Sequence, residues 1–178
     1  EEPSPFGAVH EDSFITASAS AFVGGTTSVV CFVPHWKGHG IWDRYQDYRR
    51  RGATGMLDHA FHQVIADPTD SVIEQEIPRV VAEGVRSLKV FLTYEPLHLG
   101  DREYLKVLVA ARKNGCRVTV HCENYDAIGW RTEELLKAGL TAPKYHAWSR
   151  PSVVEREATH RAIALAELVD QPIQIFHV

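Results

Sequence analysis

The chain has 178 residues, of which 44% are hydrophobic, and a formal net charge of −4. This length and composition allow one domain with a sizeable buried core. The slightly acidic balance gives no reason to expect a nucleic acid or an anionic membrane as a partner. No stretch is long and apolar enough to be a membrane span, and the first residues lack the features of a signal peptide.

The three cysteines, Cys31, Cys116 and Cys122, lie in apolar runs that resemble strands. An odd number of cysteines without a C-x-x-C pair argues against a disulfide framework and for a reducing compartment. We therefore expect three buried thiols and a cytoplasmic location.

Short apolar runs alternate with helical patterns along the chain. The strand-like runs are rich in β-branched and aromatic residues and cover 26–34, 57–65, 87–94, 117–123 and 172–178. The helical patterns cover roughly 11–23, 40–51, 70–83, 101–114, 126–139 and 151–169. We expect Asp101 to be an N-cap, Pro151 to be a first helical residue and Pro78 to mark a break.

This alternation predicts an α/β fold built from parallel βα repeats. Two arrangements compete, an open doubly wound sheet and part of a TIM-type (β/α)8 barrel. Neither G-x-G-x-x-G nor G-x-x-x-x-G-K-[ST] follows a strand, which weakens the phosphate-binding versions of the open sheet. A complete barrel usually needs about 250 residues, and only about five of its eight strands are recognisable. We therefore expect residues 1–178 to form a single partial barrel domain.

Lys89 is the first candidate for chemistry, because it lies within the apolar run SLKVFLTY. A buried ammonium group is costly, so Lys89 either reaches solvent or an ionic partner, or has a lowered pKa. A neutral amine in that position can react with carbon dioxide. The resulting carbamate has two oxygens that could bridge two metal ions.

Two histidines occur late in two other predicted strands, where the active site of a parallel barrel lies. Strand alternation places His121 on one face with Thr119 and Glu123, and it places His177 on one face with Ile173 and Ile175. A single strand-end histidine is more often a hydrogen-bonded core residue than a ligand. Two of them together with a strand lysine favour a metal site, because neutral imidazole binds zinc and similar ions well.

The other histidines do not form such a pattern. His35 and His39 flank a loop that contains Gly38 and Gly40, and His-x-x-x-His needs a helix to converge on one metal. We favour contact with a substrate for this loop over metal binding.

Several long stretches resemble dihydropyrimidinases and bacterial D-hydantoinases, which are cyclic amidohydrolases of the amidohydrolase superfamily. The similar stretches occur in the same order and at suitable spacing, and they are PFGAVHEDSFITASASAFVGGTTSVV, SLKVFLTYEPL, VTVHCENYDAI, AGLTAPKYHAWSRP, VEREATHRAIALAE and IQIFHV. The resemblance implies that Lys89 is the carbamylated lysine that bridges two divalent metals, zinc before manganese or nickel. It implies that His121 and His177 bind one of these metals.

The resemblance also implies a role for Tyr94, which matches the tyrosine that polarises the substrate carbonyl and stabilises the oxyanion. From the residues alone, Tyr94 is equally consistent with an ordinary aromatic residue at a strand end.

The chain departs from the family pattern at both ends. The first barrel strand, with its His-x-His metal ligands, and the C-terminal strands, with the catalytic aspartate, are absent from the 178 residues. Neither Asp101 nor Asp126 occupies the matching place. The resemblance thus implies the central segment of an enzyme that opens dihydropyrimidine or hydantoin rings to N-carbamoyl amino acids. We expect the isolated chain to have little or no activity on such small cyclic amides.

Two rival interpretations remain. A non-catalytic assembly protein of the same fold would replace Lys89, His121 and His177, all of which are present. An allantoinase or a dihydroorotase would use similar metals, but the FLTYEP run is more similar to the hydantoinases. In either case the predicted strands 26–34 and 172–178 would be sheet edges, which favours self-association and a homo-oligomer.

Overall fold

The computed structural model describes residues 2–3, 9–10 and 12–178. Two short strands, β1 (Glu2–Pro3) and β2 (Val9–His10), pair with each other in antiparallel orientation. The remaining elements, in chain order, are α1 (Phe14–Val23), β3 (Ser28–Val33), α2 (Trp42–Gly52), β4 (Asp58–Val64), a π-helical turn (Val72–Glu76), α3 (Ile77–Ala82), β5 (Ser87–Phe91), α4 (Asp101–Lys113), β6 (Arg117–His121), α5 (Tyr125–Lys137), a 3-10 turn (Pro143–Tyr145), α6 (His146–Ser149), α7 (Ser152–Leu168) and β7 (Ile173–Ile175).

The five predicted strands and six predicted helices all occur, and most boundaries agree within three residues. The start of the first helix, predicted at residue 11, lies outside the described residues. Two assignments are wrong by one residue, because α4 has Gly100 as its N-cap and α7 has Pro151 as its N-cap. Pro78 is the second residue of α3, which begins where the π-helical turn ends, and since it has no N–H group, the break predicted there has a simple cause.

Strands β3 to β7 form one parallel sheet in the order β3-β4-β5-β6-β7. Each strand lies beside its predecessor, so the order does not reverse as it does in a doubly wound sheet. Right-handed crossovers between sequential strands put every connecting helix on the same side. The sheet is therefore part of a barrel wall, as the sequence predicted.

The two faces of the sheet have different compositions. One face, with Val33, Leu88, Val90, Val118 and Val120, packs on the helices in a core that includes Tyr45, Val80, Leu108 and Ala158. The register pairs Phe32 with His62, Val64 with Lys89, Lys89 with Thr119, and Phe91 with His121 on the opposite face. Lys89 and His121 thus lie on the inner face of the barrel wall, away from the helices.

No helix in the part of the chain that the structure describes combines the length and the apolar character that crossing a membrane requires. The described cysteines are unpaired thiols, with Cys116 and Cys122 buried and Cys31 half-buried.

Candidate functional site

Lys89 is almost completely buried on the inner face of the sheet, with 1% of its surface exposed. Its Nζ lies 4.7 Å from the ring centroid of Phe91 and 4.4 Å from that of Phe176. Within the described residues this nitrogen has no hydrogen-bond partner. Burial lowers the pKa of Lys89 to about 8, so roughly a tenth of the side chain is a neutral amine at pH 7, far more than for an ordinary lysine.

His121 and His177 are in direct contact. The Nδ1 atom of His121 lies 3.0 Å from Nε2 of His177. On its other side, His121 donates from Nε2 to the carboxylate of Glu123 at 2.8 Å. Burial lowers the pKa of His121, and the charges of His177 and Lys89 act in the same direction, against the hydrogen bond that His121 donates to Glu123 and the negative charge of that carboxylate. A neutral imidazole results, which is the form that binds a metal ion.

His177 reaches His121 by a route that strand alternation does not predict. Strand β7 ends at Ile175 instead of continuing to residue 178. Ile173 and Ile175 pack against the helix-side core, so a continued strand would have pointed His177 the same way. Instead His177 adopts a left-handed backbone with φ 43°, and its ring turns towards the inner face at 4.6 Å from the ring of His121.

Tyr94 follows β5 in a tight turn. Its φ is 68°, a conformation that costs a non-glycine residue about 1–3 kcal/mol. The Tyr94 carbonyl accepts hydrogen bonds from the backbone N–H groups of Leu97 and His98, both at 2.8 Å, and these bonds hold the turn. The ring of Tyr94 lies 5.0 Å from the ring of His121. Burial and the negative charge of Glu123 raise the pKa of the phenol, against the effect of Arg150, so Tyr94 remains a hydrogen-bond donor.

A cavity of about 560 Å³ opens beside these side chains, and its lining includes Tyr94, His121, Glu123, Arg150 and His177. A neighbouring cavity of about 850 Å³ lies between the turn after β5 and helix α5, and it shares Tyr94 and Arg150 with the first. The smaller cavity contains the two imidazoles, so it is the candidate site. Lys89 is not among the lining residues, but Phe176, whose ring contacts the lysine nitrogen, is one of them.

These side chains fit a metal centre in part. Two nitrogens on one tetrahedral zinc, with bonds of about 2.0–2.1 Å, would lie roughly 3.3 Å apart, and the imidazole nitrogens are separated by 3.0 Å. Lys89 adds a buried amine without a partner among the described residues. In the part of the chain that the structure describes, no three histidine, cysteine or acidic side chains form a group that could hold a metal ion.

The loop histidine His35 has a structural role. Its Nδ1 accepts from the backbone N–H of Ala66 at 3.1 Å, and its Nε2 donates to the carbonyl of His39 at 2.8 Å. Both ring nitrogens are therefore used, and the side chain is 1% exposed. His35 therefore has no free ring nitrogen for a substrate, whereas substrate contact from the rest of the loop stays a prediction.

Sequence reasoning gave no role to Glu123, Arg150 or Phe176, although all three contact the predicted site residues. The His-x-Glu spacing at the end of β6 was the available signal for Glu123, because it places a carboxylate beside the imidazole. Arg150 lies far away in sequence, and only the fold brings it to Glu123 at 2.7 Å.

Comparison with known proteins shows that this chain is similar to bacterial D-hydantoinases. The chain is 43% identical over 169 residues to a D-hydantoinase of Ralstonia pickettii and 41% identical over 169 residues to one of Rhizobium radiobacter. Each alignment covers 94% of this chain and 37% of the relative. The chain therefore spans little more than a third of the length of these relatives. No protein-family profile matches it.

Solved structures agree with the sequence relatives. A crystal structure of a dihydropyrimidinase from Brevibacillus agri NCHU1002 superimposes with a TM-score of 0.91 at 38% identity, covering 97% of this chain and 38% of that one. This structural similarity thus extends over nearly the whole of the chain.

Proposed function

We propose that this chain, a member of the D-hydantoinase and dihydropyrimidinase family, is part of a metal-dependent hydrolase that opens cyclic amides. The intact enzyme would convert dihydropyrimidine or hydantoin rings to N-carbamoyl amino acids. The observation that carries the proposal is the contact between His121 and His177 at the cavity, with Lys89 on the same face of the sheet. Sequence identity of about 40% to D-hydantoinases supports the same reaction class.

Lys89, His121 and His177 would hold the metal ions in this proposal. A neutral Lys89 amine adds carbon dioxide, which forms an N–C bond and releases one proton, and the carbamate offers two oxygen ligands. His121 and His177 would each present one imidazole nitrogen. When bound, divalent metal ions polarise a carbonyl and make hydroxide available near neutral pH, and zinc suits this ligand set.

Tyr94 would assist the reaction from the cavity wall. Hydrolysis adds water across the ring C–N bond, so that the oxygen joins the carbonyl carbon and a proton goes to the leaving nitrogen. As the carbonyl oxygen gains negative charge, the Tyr94 hydroxyl would donate a hydrogen bond to it. The proton transfer to nitrogen needs a group that we do not identify among Lys89, His121, His177 and Tyr94, and for that reason we expect little or no activity from the 178-residue chain.

The test uses the intact enzyme that contains this segment. It would be assayed for ring opening of a hydantoin, dihydrouracil, allantoin and dihydroorotate, together with Lys89→Ala and the matched control Lys113→Ala on the exposed side of α4. We expect turnover of the hydantoin or dihydrouracil that Lys89→Ala abolishes and Lys113→Ala retains. Turnover of allantoin or dihydroorotate alone would assign a related hydrolase, and no turnover with any of the four would favour a non-catalytic assembly protein.

A further inference from the structure

Glu123 lies at the centre of a compact polar network just after β6. Its Oε2 atom accepts from Nε2 of His121 at 2.8 Å and from a guanidinium N–H of Arg150 at 2.7 Å. The side chains are 15%, 12% and 23% exposed for Glu123, His121 and Arg150. These groups are thus mostly withdrawn from solvent, unlike the exposed ion pairs that contribute little to a fold.

The hydrogen bond to Glu123 determines which nitrogen of His121 carries the proton. A carboxylate can only accept, so the Nε2 atom of a neutral His121 must be the N–H donor. The Nδ1 atom then has its lone pair directed at Nε2 of His177, 3.0 Å away. In known metal sites, a carboxylate that accepts from the far nitrogen of a ligand histidine fixes both the tautomer and the ring orientation.

Arg150 connects this carboxylate to Tyr94. The Cζ atom of its guanidinium group lies 5.4 Å from the ring centroid of Tyr94, within the range of an attractive cation–π contact. Arg150 immediately precedes Pro151, the N-cap of α7, and follows α6. A side chain held between two helices therefore contacts both the carboxylate that orients His121 and the ring of Tyr94.

We propose that Glu123 and Arg150 are positioning residues, which hold His121 in the Nε2–H tautomer and couple its orientation to that of Tyr94. That this orientation serves metal binding rests on the proposed function. The hydrogen bonds that set the orientation exist in the chain without a metal ion. Neither residue needs to contact a substrate.

The first experiment reads the tautomer directly in the metal-free 178-residue chain. Histidine labelled with ¹⁵N gives separate signals for protonated and unprotonated ring nitrogens at a pH where the ring is neutral. We expect His121 to carry its proton on Nε2 in the wild type and in Glu123→Gln, whose side-chain carbonyl still accepts. Glu123→Ala should give a tautomer mixture. A mixture or an Nδ1-protonated ring in the wild type would overturn the proposal, even if Glu123→Ala fails to fold.

The second experiment measures Co²⁺ affinity on the same chain. Loss of a carboxylate behind a ligand histidine weakens metal binding by about 10–100-fold, and we expect this for Glu123→Ala, with partial recovery in Glu123→Gln. Arg150→Met should weaken binding about 10-fold on the same grounds. The double variant should bind no more weakly than Glu123→Ala, because both residues act through one histidine. Glu74→Ala and Arg156→Met, at exposed positions, are the matched controls.

The two experiments separate failure of this inference from failure of the proposed function. If the wild-type chain binds no Co²⁺, the metal centre is in doubt, whereas the tautomer measurement still decides whether Glu123 orients His121. If the wild type binds Co²⁺ and Glu123→Ala binds equally well, the positioning role is wrong and the metal centre stands. Additive losses in the double variant would show that Arg150 acts independently of Glu123.

Discussion

The Nζ atom of Lys89 lies 4.4 Å from the ring centroid of Phe176, and no described residue accepts a hydrogen bond from it. A buried cation without a polar partner destabilises the fold, because aromatic rings replace only part of its hydration. The same burial lowers the pKa of Lys89 to about 8, and a strongly shifted pKa of this kind is typical of residues in functional sites.

Replacement of Lys89 by methionine should therefore stabilise the metal-free chain. We expect a gain of about 1–3 kcal/mol in the free energy of unfolding at neutral pH, since the variant removes an unpartnered buried amine and keeps an apolar side chain of similar length. Urea denaturation measures it, with Lys113→Met as the exposed control. A loss of stability in Lys89→Met would mean that the ammonium group is better stabilised than the contacts indicate.

The difference between Lys89→Met and the wild type should depend on pH. The folded pKa of about 8 lies below the ordinary value of 10.5, so between these values the unfolded wild type binds more protons than the folded wild type. Its stability rises with pH in that range. The advantage of the variant is thus full below about pH 8 and decreases as the pH approaches 10.5. A difference that stays constant across this range would contradict a lowered pKa for Lys89.

Tyr94 gives a prediction for the intact enzyme. Tyr94→Phe removes the hydroxyl that would stabilise the developing oxyanion, and loss of one such donor typically lowers kcat by about 10²–10³-fold. KM should change little, because the interaction forms mainly in the transition state. Steady-state kinetics with a hydantoin measure both constants, and Tyr145→Phe is the control. An increase in KM at unchanged kcat would instead make Tyr94 a residue that binds the ground state.

The sequence predicted the sheet well, because parallel strands buried by helices have continuous apolar runs with clear borders. It also singled out Lys89 and His121 correctly as polar residues on strands, since a lysine between Leu88 and Val90 is unusual in a buried run. The sequence alone did not show that Lys89 and His121 lie on the inner face of the sheet. That placement became clear from the register, which pairs Lys89 with Thr119 and Phe91 with His121.

The placement of His177 could not be predicted in the same way. Strand alternation is a local rule, and it fails where a strand ends early and the backbone enters the left-handed region, as at His177. The contact between Arg150 and Glu123 joins residues 27 positions apart. No local pattern encodes such a contact, because it depends on how α6 and α7 pack beside the strand end.

Zinc should stabilise the isolated chain through the two contacting imidazoles. A ligand that binds only the folded state stabilises it by about 2.7 kcal/mol at a concentration of 100 Kd. We expect Zn²⁺ to raise Tm of the wild type, and His121→Ala and His177→Ala to remove this shift. His160→Ala, at an exposed position of α7, should retain it. An equal shift in all four proteins would place zinc elsewhere.

The carboxylate of Glu76 should stabilise the fold through the N-terminus of α2. Its carboxylate accepts from the backbone N–H groups of Ile41 and Trp42 at 2.7 and 2.8 Å, which α2 leaves without partners at its N-terminus. Glu76→Ala should lower the free energy of unfolding by about 2–3 kcal/mol, because two partly buried donors lose their acceptor. Glu74→Ala, at an exposed position, should change it little. Equal effects in the two variants, measured by urea denaturation, would contradict this role.

The edge strand β3, whose inner face is apolar and exposed, should mediate self-association of the 178-residue chain. Val30 and Phe32 are 51% and 39% exposed there, and β3 is an edge strand of its sheet in the described structure. An exposed apolar edge favours pairing with another copy, and a lysine on such an edge opposes it. Val30→Lys should therefore shift the chain towards monomer in native mass spectrometry and sedimentation. Val109→Lys introduces the same charge at a valine that is 52% exposed on α4, and it should leave the distribution unchanged. A wild type that is monomeric at every concentration, or an equal response to both lysines, would exclude β3 as the interface.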